Sequence, residues 1–281
     1  MPHPDRLLNT LRQAARALRE TPGRTGHVVR LPPGTEVLVA GDMHGSVENF
    51  RLLLRCADLA GNPSRHLVLQ EVVHGPFRYP AGGDKSHQLL ELVAALKCQS
   101  PERVHFLLGN HELAQWQGHR VIKGNDNQND LFLLGVENSY GEWAASVVAA
   151  YHELFAAADL AVVTANRVWI SHSLPTARRL AAFDPAVLER DVLQPADLDA
   201  GGSVHALVWG RDLTAANAEA FLRRVDADWL ITGHIPTEDG YMTPNPHQLI
   251  LDAMGTPACC CLVPTDRPVT LQELVKRIVT L

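Results

Sequence analysis

Short runs of apolar residues alternate along the chain with longer segments in which apolar positions recur every three or four residues. Short apolar runs are typical of buried strands, and the longer spacing is typical of helices that bury one face. The pattern predicts strands at 37–40, 66–69 and 104–108, with a helix over 47–59 after the first of them. Strands that alternate with helices indicate an α/β fold.

The second half of the chain continues this order. Further strands are predicted at 167–170 and 229–232, with a helix over 215–225 before the latter. The segments 248–251 and 258–263 are interpreted as two strands that pair with each other. The alternation of the two element types therefore extends almost to the end of the chain.

A helix is predicted at each end of the chain. The first covers 5–20, because Asp5 can act as its N-cap and Pro22 follows its last apolar position. The last begins at Thr270, where Glu273 completes the spacing of a capping box. Neither helix carries residues that suggest chemistry, so both are interpreted as packing elements.

The length and the apolar content allow one large domain. The chain has 281 residues, of which 46% are hydrophobic, and a chain of this size can bury a substantial core. We interpret residues 1–281 as a single domain that carries a helix-rich insert at about 116–160. Within that insert, 123–130 is polar and is predicted to be a loop.

Polar residues stand directly after the first predicted strand, in the segment Gly-Asp-Met-His-Gly at 41–45. In extended chain, residues two positions apart point the same way, so Asp42 and His44 can face one point. That point lies beyond the carboxyl end of the strand, where open α/β sheets bind their ligands. A carboxylate oxygen beside an imidazole nitrogen suits a divalent metal such as manganese, iron or zinc.

The same arrangement recurs after four other strands. Glu71 follows the second strand, the pair Asn110 and His111 follows the third, and His172 and His234 follow two later ones. One such histidine is usually a core residue with satisfied hydrogen bonds. Five strand ends with metal-competent side chains in one chain favour a metal site.

The charge and the cysteines narrow the range of partners. The net charge of −6 argues against nucleic acid or an anionic membrane as the main partner. The longest apolar region, 143–165, contains His152 and Asp159, and arginines interrupt the apolar runs of the N-terminus, so we expect a soluble protein with no signal peptide. Five cysteines show no disulfide framework, and three of them, at 259–261, are expected to be buried, which favours a reducing cytoplasm.

Taken together, the motifs resemble those of a known superfamily. Gly41-Asp42-Met43-His44-Gly45, Gly109-Asn110-His111-Glu112, Ser171-His172 and Gly233-His234 resemble, in order, the motifs of the calcineurin-like metallophosphoesterases. Pro236 stands where many relatives carry a further histidine, which points to the phosphoprotein-phosphatase branch with its bacterial diadenosine tetraphosphatases. The resemblance extends from Val37 to about Asp252.

The resemblance implies a fold and a metal centre. The fold is a four-layer α/β/β/α sandwich of two mixed sheets, of the metallo-dependent phosphatase type. Two divalent ions (manganese, iron or zinc, with manganese favoured in assays) lie about 3.5–4 Å apart in such centres. By position, Asp42 and His44 are expected to hold the first ion, and Asn110, His172 and His234 the second.

The second motif departs from the family pattern. The family normally has Gly-Asp after this strand, where this chain has Gln70-Glu71, so Glu71 is the candidate for the carboxylate that bridges both metals. Asp84, in a glycine-rich loop, is the competing carboxylate. The family's second aspartate, which orients the histidine corresponding to His111, is replaced by His74.

The arginine that normally follows this second aspartate, and grips phosphate as a bidentate fork, is absent. Arg211 resembles another phosphate-contacting arginine of the bacterial branch, and Arg78 is a further candidate that is equally well explained as a solvated loop charge.

Two functions are compatible with these motifs. The first is a dinuclear metallophosphoesterase that cleaves a phosphate ester, of a phosphoprotein or of a small or nucleotide phosphate, by attack of metal-bound hydroxide. In it Asn110 and Arg211 bind the phosphoryl group, and His111 is the candidate general acid. The second is a metal-binding pseudo-phosphatase with weak or no catalysis that acts through protein contacts, which the altered second motif suggests.

Overall fold

A computed structural model of the protein describes residues 3–281 and shows two β-sheets that pack against each other. Within these residues the strands are β1 (Arg24–Thr25), β2 (Val28–Leu31), β3 (Glu36–Asp42), β4 (Arg65–Gln70), β5 (Val104–Leu107), β6 (Ile122–Lys123), β7 (Asp126–Asn127), β8 (Ala161–Thr164), β9 (Val168–Ile170), β10 (Trp229–Thr232), β11 (Tyr241–Asn245), β12 (Gln248–Leu251), β13 (Cys259–Pro264) and β14 (Ile278–Thr280).

Helices follow five of the described strands of the two sheets, β3, β4, β5, β9 and β13. In the same range they are α1 (Pro4–Arg19), α2 (Val47–Ala57), α3 (His87–Gln99), α4 (Asn110–Gln117), α5 (Gln128–Tyr140), α6 (Ala144–Ala157), α7 (Ala177–Leu180), α8 (Pro195–Leu198), α9 (Ser203–Trp209), α10 (Ala215–Val225) and α11 (Leu271–Val275), with 3₁₀ turns at Gly141–Trp143 and Pro185–Glu189. No helix among residues 3–281 has both the length and the apolar character needed to cross a bilayer.

Both sheets are mixed. One contains five strands in the order β14-β13-β3-β4-β5, in which β3, β4 and β5 run parallel. The other contains seven strands in the order β1-β2-β8-β9-β10-β12-β11, in which β9, β10 and β12 run parallel. Parallel strands end at the same edge of a sheet, so each sheet gathers several strand ends along one line.

Alternating residues of β3 explain the layering. Val37 and Val39 belong to the apolar cluster between the two sheets, together with Ile170 and Ile231 of the facing sheet. Leu38, from the opposite face of the strand, belongs to the cluster that includes the helices outside the sheets. Because successive side chains of a strand point to opposite faces, a strand without polar gaps is buried on both sides. The predicted sandwich of two mixed sheets with outer helices is confirmed.

Most predicted elements are present within one or two residues of their expected bounds. The predicted helix over 215–225 and the predicted strands at 229–232 and 248–251 coincide with α10, β10 and β12. The capping box is confirmed, because the Thr270 hydroxyl accepts from the backbone of Glu273, whose carboxylate accepts from the backbone of Thr270. The three consecutive cysteines of β13 are buried, as expected.

Three local predictions are wrong. The strands β12 and β13 do not pair with each other, because β12 lies between β10 and β11 while β13 lies between β3 and β14 of the other sheet. The N-cap of α1 is His3, because Pro4 occupies the first helical position and shifts Asp5 into the first turn. Residues 123–130 are not a loop: they contain part of the β6–β7 hairpin and the start of α5.

Candidate active site

Five strand ends meet at one place between the two sheets. Asp42 is the last residue of β3, and His44 lies in the turn that follows it. The other predicted site residues lie at the corresponding ends of four more strands: Glu71 after β4, Asn110 and His111 at the start of α4 after β5, His172 after β9, and His234 after β10. All of them except the half-buried His44 are buried. The fold thus brings the predicted metal ligands and His111 together.

The backbone is strained where these side chains are presented. His44, Glu71, His74 and His234 have positive φ angles of 39°, 45°, 60° and 69°. Non-glycine residues in this region cost about 1–3 kcal/mol each and persist only where the surroundings impose them. Such strain is typical of functional sites, and here it turns four side chains toward one volume.

Two glycines leave room for the carboxylates. A Cβ on Gly109 would overlap the carboxylates of Glu71 and Glu112, and a Cβ on Gly233 would overlap the carboxylate of Asp42. Glycine is therefore required at both strand ends, because any larger residue would displace the carboxylate that faces it. These contacts explain why the glycine and the polar residue occur together in the two motifs.

Around His172, three hydrogen-bond acceptors converge when Glu71 is ionised. Gln70 donates through Nε2 to the Ala40 carbonyl at 2.9 Å, which fixes its amide so that Oε1 accepts from His172 Nδ1 at 3.0 Å. The remaining nitrogen of His172, Nε2, then carries a lone pair. It faces Asn110 Oδ1 at 2.9 Å and Glu71 Oε2 at 3.1 Å. A cation is the partner that this arrangement lacks.

A second group of ligand atoms lies on the other side of Glu71. His44 donates from Nδ1 to the Val73 carbonyl at 3.0 Å, so its Nε2 is available as a ligand. The ligand atoms of His44, Glu71 and His111 lie within 4.8 Å of one another. Glu71 therefore contributes one oxygen to each group, and the donor set of nitrogen and oxygen atoms fits two divalent metals.

Several buried polar atoms of the site have no hydrogen-bond partner among the described residues. They are Asp42 Oδ1, Glu71 Oε2, Asn110 Nδ2, Glu112 Oε2 and His234 Nε2. An unsatisfied buried polar atom costs about 1–3 kcal/mol, so native proteins rarely leave so many in one volume. Their concentration here is the signature of a site completed by a bound group.

The electrostatics of the site point the same way. Burial raises the pKa of Asp42 to about 8, raises that of Glu112 to about 7, and raises that of Glu71 well above its ordinary value. Burial also lowers the pKa of His44 to about 4 and that of His234 to about 3. The imidazoles are therefore neutral at pH 7, and Asp42 holds a proton there that a bound cation would displace.

Glu71 and Asp84, the two candidates for the bridging carboxylate, have different surroundings. Glu71 lies among His44, His111 and His172, whereas Asp84 accepts hydrogen bonds from the backbone and the hydroxyl of Ser86, both at 2.8 Å. Asp84 also lies 3.6 Å from Arg78. The Asp84 carboxylate therefore interacts with residues of its own loop, and Glu71 is the carboxylate that lies between the two groups of ligands.

A cleft of about 400 Å³ opens over the site, with Asp42, His44 and His74 on its wall. Lys123 of the β6–β7 hairpin and Arg78 also line it. Arg78 donates to the backbone carbonyls of Gly75 and Phe77, so its guanidinium is engaged by the protein. Lys123 is exposed and makes no side-chain hydrogen bond or ion pair with the described residues.

Sequence reasoning overlooked three residues of this region. Gln70 and Gln115 hydrogen-bond the site histidines His172 and His74, and Lys123 reaches the cleft from a hairpin that was expected to be a loop. Gln70 is adjacent to Glu71 in the sequence, which was the one available signal. Nothing in the pattern around Gln115 or Lys123 indicated a contact with the site.

Comparisons with known proteins agree with the fold and the motifs. A family model described as calcineurin-like phosphoesterase matches residues 35–238. A probable serine/threonine-protein phosphatase of Encephalitozoon cuniculi is 26% identical over 231 residues, which cover 76% of this chain and 46% of that protein. The chain thus spans about half of the length of this relative.

Two solved structures share the architecture. A serine/threonine phosphatase from Saccharomyces cerevisiae with similarity to human phosphatase PP5 aligns with a TM-score of 0.71 at 15% identity, over 99% of this chain and 89% of that one. A cold-active protein-tyrosine phosphatase of a psychrophilic Shewanella aligns with a TM-score of 0.56 at 14% identity, over 85% of this chain and 78% of that one. At such identities the likeness concerns the fold.

Proposed function

The chain belongs to the calcineurin-like phosphoesterase family, and we propose that it hydrolyses phosphate esters with the help of two divalent metal ions. Asp42, His44 and Glu71 would hold the first ion. Glu71 would also contribute to the second, together with Asn110, His172 and His234. One observation carries the proposal. The lone pair of His172 Nε2 faces two oxygens, Asn110 Oδ1 at 2.9 Å and Glu71 Oε2 at 3.1 Å.

The chemistry divides between the metals and the chain. When bound, two such ions polarise the phosphoryl group and lower the pKa of water for an in-line attack on phosphorus. The protein holds the ligands rigidly on strand ends and keeps the imidazoles neutral by burial. It also supplies the hydrogen-bond donors that a phosphoryl group requires.

Three groups of the chain are suited to bind the phosphoryl oxygens. Asn110 Nδ2 is a buried donor without a partner in the described structure, so it can donate to a phosphoryl oxygen while Oδ1 remains with the metal ligands. Arg211 is exposed near the site, and its charge acts on Asp42, His172 and His234. Lys123 lines the cleft. We propose that Arg211 and Lys123 together replace the arginine that the second motif lacks.

The rim of the cleft favours a bulky substrate. Phe77 is 42% exposed and would contact a Cβ on Gly45, immediately after His44, and Ile122 beside Lys123 is 53% exposed. Exposed large apolar side chains at the edge of a polar cleft are typical of surfaces that bind a partner. A phosphorylated side chain of a protein, or another phosphoester with a large leaving group, fits this rim better than a small sugar phosphate.

The proposed activity is tested with Asp42→Ala and His234→Ala, assayed on a generic aryl phosphomonoester with added manganese. We expect wild-type protein to turn over and both variants to lose nearly all activity. Undiminished hydrolysis in either variant would contradict the assignment. If wild-type protein binds metal and phosphate but turns over no phosphoester, the pseudo-phosphatase alternative is correct instead.

A further inference from the structure

His111 makes contacts that differ from those of a general acid. Its Nδ1 lies 2.9 Å from Nδ1 of His74, and its Nε2 lies 3.5 Å from Oε1 of Glu71. The ring of His111 therefore lies between His74 and the carboxylate that joins the two groups of ligands.

The hydrogen bonds of His74 determine which nitrogen of His111 carries the proton. His74 donates from Nε2 to Oε1 of Gln115 at 2.9 Å, so Nδ1 of its neutral ring is an acceptor. That Nδ1 lies 2.9 Å from Nδ1 of His111, which must then be the donor. The proton of His111 is therefore on Nδ1, and its Nε2 carries a lone pair.

The ring of His74 has no carboxylate partner in the described part of the chain. The side chain of His74 is almost fully buried, and its ring contacts His111, Phe132 and Gln115. Among the described residues it makes no ion pair with a carboxylate. The carboxylate that the family uses to stabilise a protonated histidine is absent.

Two acceptors thus face each other across the site. With Glu71 ionised, as a metal ligand must be, the lone pair of His111 Nε2 and Oε1 of Glu71 are 3.5 Å apart, a distance at which they repel unless a cation lies beside both. The ligand atoms of His44, Glu71 and His111 all lie within 4.8 Å of one another. We propose that His111 is a ligand of the first metal rather than the general acid, and that His74 and Gln115 are positioning residues that fix its tautomer.

This inference rests on the proposed function and refines its substrate class. In the hydrolysis, the oxygen of water bonds to phosphorus while the bond from phosphorus to the leaving oxygen breaks. The bonding pair stays on the leaving oxygen, which takes its proton from solvent, since His111 has none to give from Nε2. Substrates with a good leaving group, such as aryl phosphates and phosphotyrosine, are therefore favoured over alkyl phosphates.

The first test measures metal binding by competition with a chromophoric chelator. Outer hydrogen-bond partners of metal ligands contribute about 10–100-fold to affinity, so Gln115→Leu should weaken the first site by about tenfold. His111→Ala should weaken it at least as much, leave the second site occupied, and recover with free imidazole. The control is His247→Ala, because His247 precedes β12 and so lies at the opposite edge of the sheet from the site.

The second test needs no variant. In zinc-loaded wild-type protein, long-range proton–nitrogen correlation spectra should show His111 protonated on Nδ1 with its Nε2 shifted by the metal. A proton on Nε2 would overturn the proposal even if the variants fail to fold. This readout distinguishes a ligand from a residue that only supports the structure.

Leaving-group dependence separates the proposal from the function on which it rests. With a series of aryl phosphates, kcat/KM of the wild type should fall steeply as the leaving-group pKa rises. A shallow slope that becomes steep in His111→Ala, with both metals still bound at wild-type affinity, would make His111 the general acid and leave the phosphoesterase assignment intact. Wild-type protein that binds no metal would instead refute the proposed function itself.

Discussion

Two clusters of buried polar residues in this molecule have opposite electrostatic organisation. In the first, near α1 and α3, Asp159 lies 3.1 Å from Arg24, and Lys97 donates to the Thr21 hydroxyl at 2.7 Å and to the Val104 carbonyl at 2.8 Å. In the second, at the strand ends, Asp42, Glu71 and Glu112 are buried among imidazoles and amides, and the cations that act on Asp42 and Glu71, Arg211 and Lys123, are exposed.

The difference teaches how to separate structural from functional burial. The first cluster contains its own buried cations, Arg24 and Lys97, although Arg24 Nε and both oxygens of Asp159 also lack a hydrogen bond among the described residues. The second cluster contains several carboxyl groups, and among the described residues no buried cation faces them. Because burying an uncompensated charge is costly, the second cluster is explained by a cation from solution.

The largest expected effect comes from neutralising Glu71. Glu71→Gln keeps the shape but removes the carboxylate shared by both groups of ligands. A bound metal contributes several kcal/mol to catalysis of this kind, so we expect activity to fall roughly a thousandfold. The metal-free variant should unfold at the same temperature as the metal-free wild type or higher, since a buried charge is gone. Both quantities are measured on the same preparation, by initial rates and by thermal denaturation.

The matching change in the first cluster should act on stability alone. Lys97→Met removes a buried ammonium that makes three hydrogen bonds and leaves Asp159 with one cation fewer. Each buried acceptor that loses its partner costs about 1–3 kcal/mol in the free energy of unfolding. Denaturant titration should show that loss, and metal affinity should stay at the wild-type value. A folded Lys97→Met variant with reduced metal affinity would contradict the claim that the first cluster acts on stability alone.

Metal removal should destabilise the wild type. A ligand that binds only the folded state at 100 times its Kd stabilises by about 2.7 kcal/mol, which is roughly 5–10 °C in Tm for a chain of this size. Scanning calorimetry with manganese and with a chelator should show this difference. The same comparison in Glu71→Gln should show a much smaller one, because the shared ligand is missing.

Metal affinity should also depend on pH in a defined direction. In the metal-free protein burial raises the pKa of Asp42 to about 8, so at pH 6 this carboxyl holds a proton that the metal must displace. Affinity should therefore rise between pH 6 and 8, by roughly tenfold per unit for each proton released, and level off above pH 8. Calorimetric titration in buffers with different ionisation enthalpies counts the protons. Binding that is independent of pH over this range would contradict the protonated state of Asp42.

The smallest expected effect is at the rim. Lys123 is exposed, so its contact with a phosphoryl group is worth about 1 kcal/mol, which corresponds to roughly a fivefold higher KM in Lys123→Met. The value of kcat and the metal affinity should not change. Lys276→Met is the matched control, because Lys276 follows α11, away from the cleft residues. Equal KM values in the two variants would remove Lys123 from the substrate site.

The sequence was sufficient for the fold and for the positions of the candidate ligands. Asp42 and His44 could be placed because a buried strand with apolar residues on both faces ends directly before them, and parallel strands end at a common edge. Glu71 could be placed for the same reason, although it differs from the family pattern. These inferences depend on backbone periodicity, which the order of residue types records directly.

The hydrogen bonds that define the site could not be predicted in this way. The contacts of Gln115 with His74 and of Gln70 with His172 depend on side-chain rotamers and on elements that are 41 and 102 positions apart in the chain. The pairing of β12 and β13 with strands of different sheets likewise depends on tertiary packing. The local sequence pattern predicts neither the side-chain contacts nor the strand pairing. The expected role of His111 could therefore be questioned only once the structure placed its neighbours.

The most direct test of the central claim is the metal content of the protein by elemental analysis, for the wild type and for Glu71→Ala. The account predicts two divalent ions per chain in the wild type and one or none in the variant, because Glu71 contributes an oxygen to each group of ligands. One ion or none in the wild type, with no change in the variant, would contradict it: the altered second motif would then have dismantled the dinuclear centre.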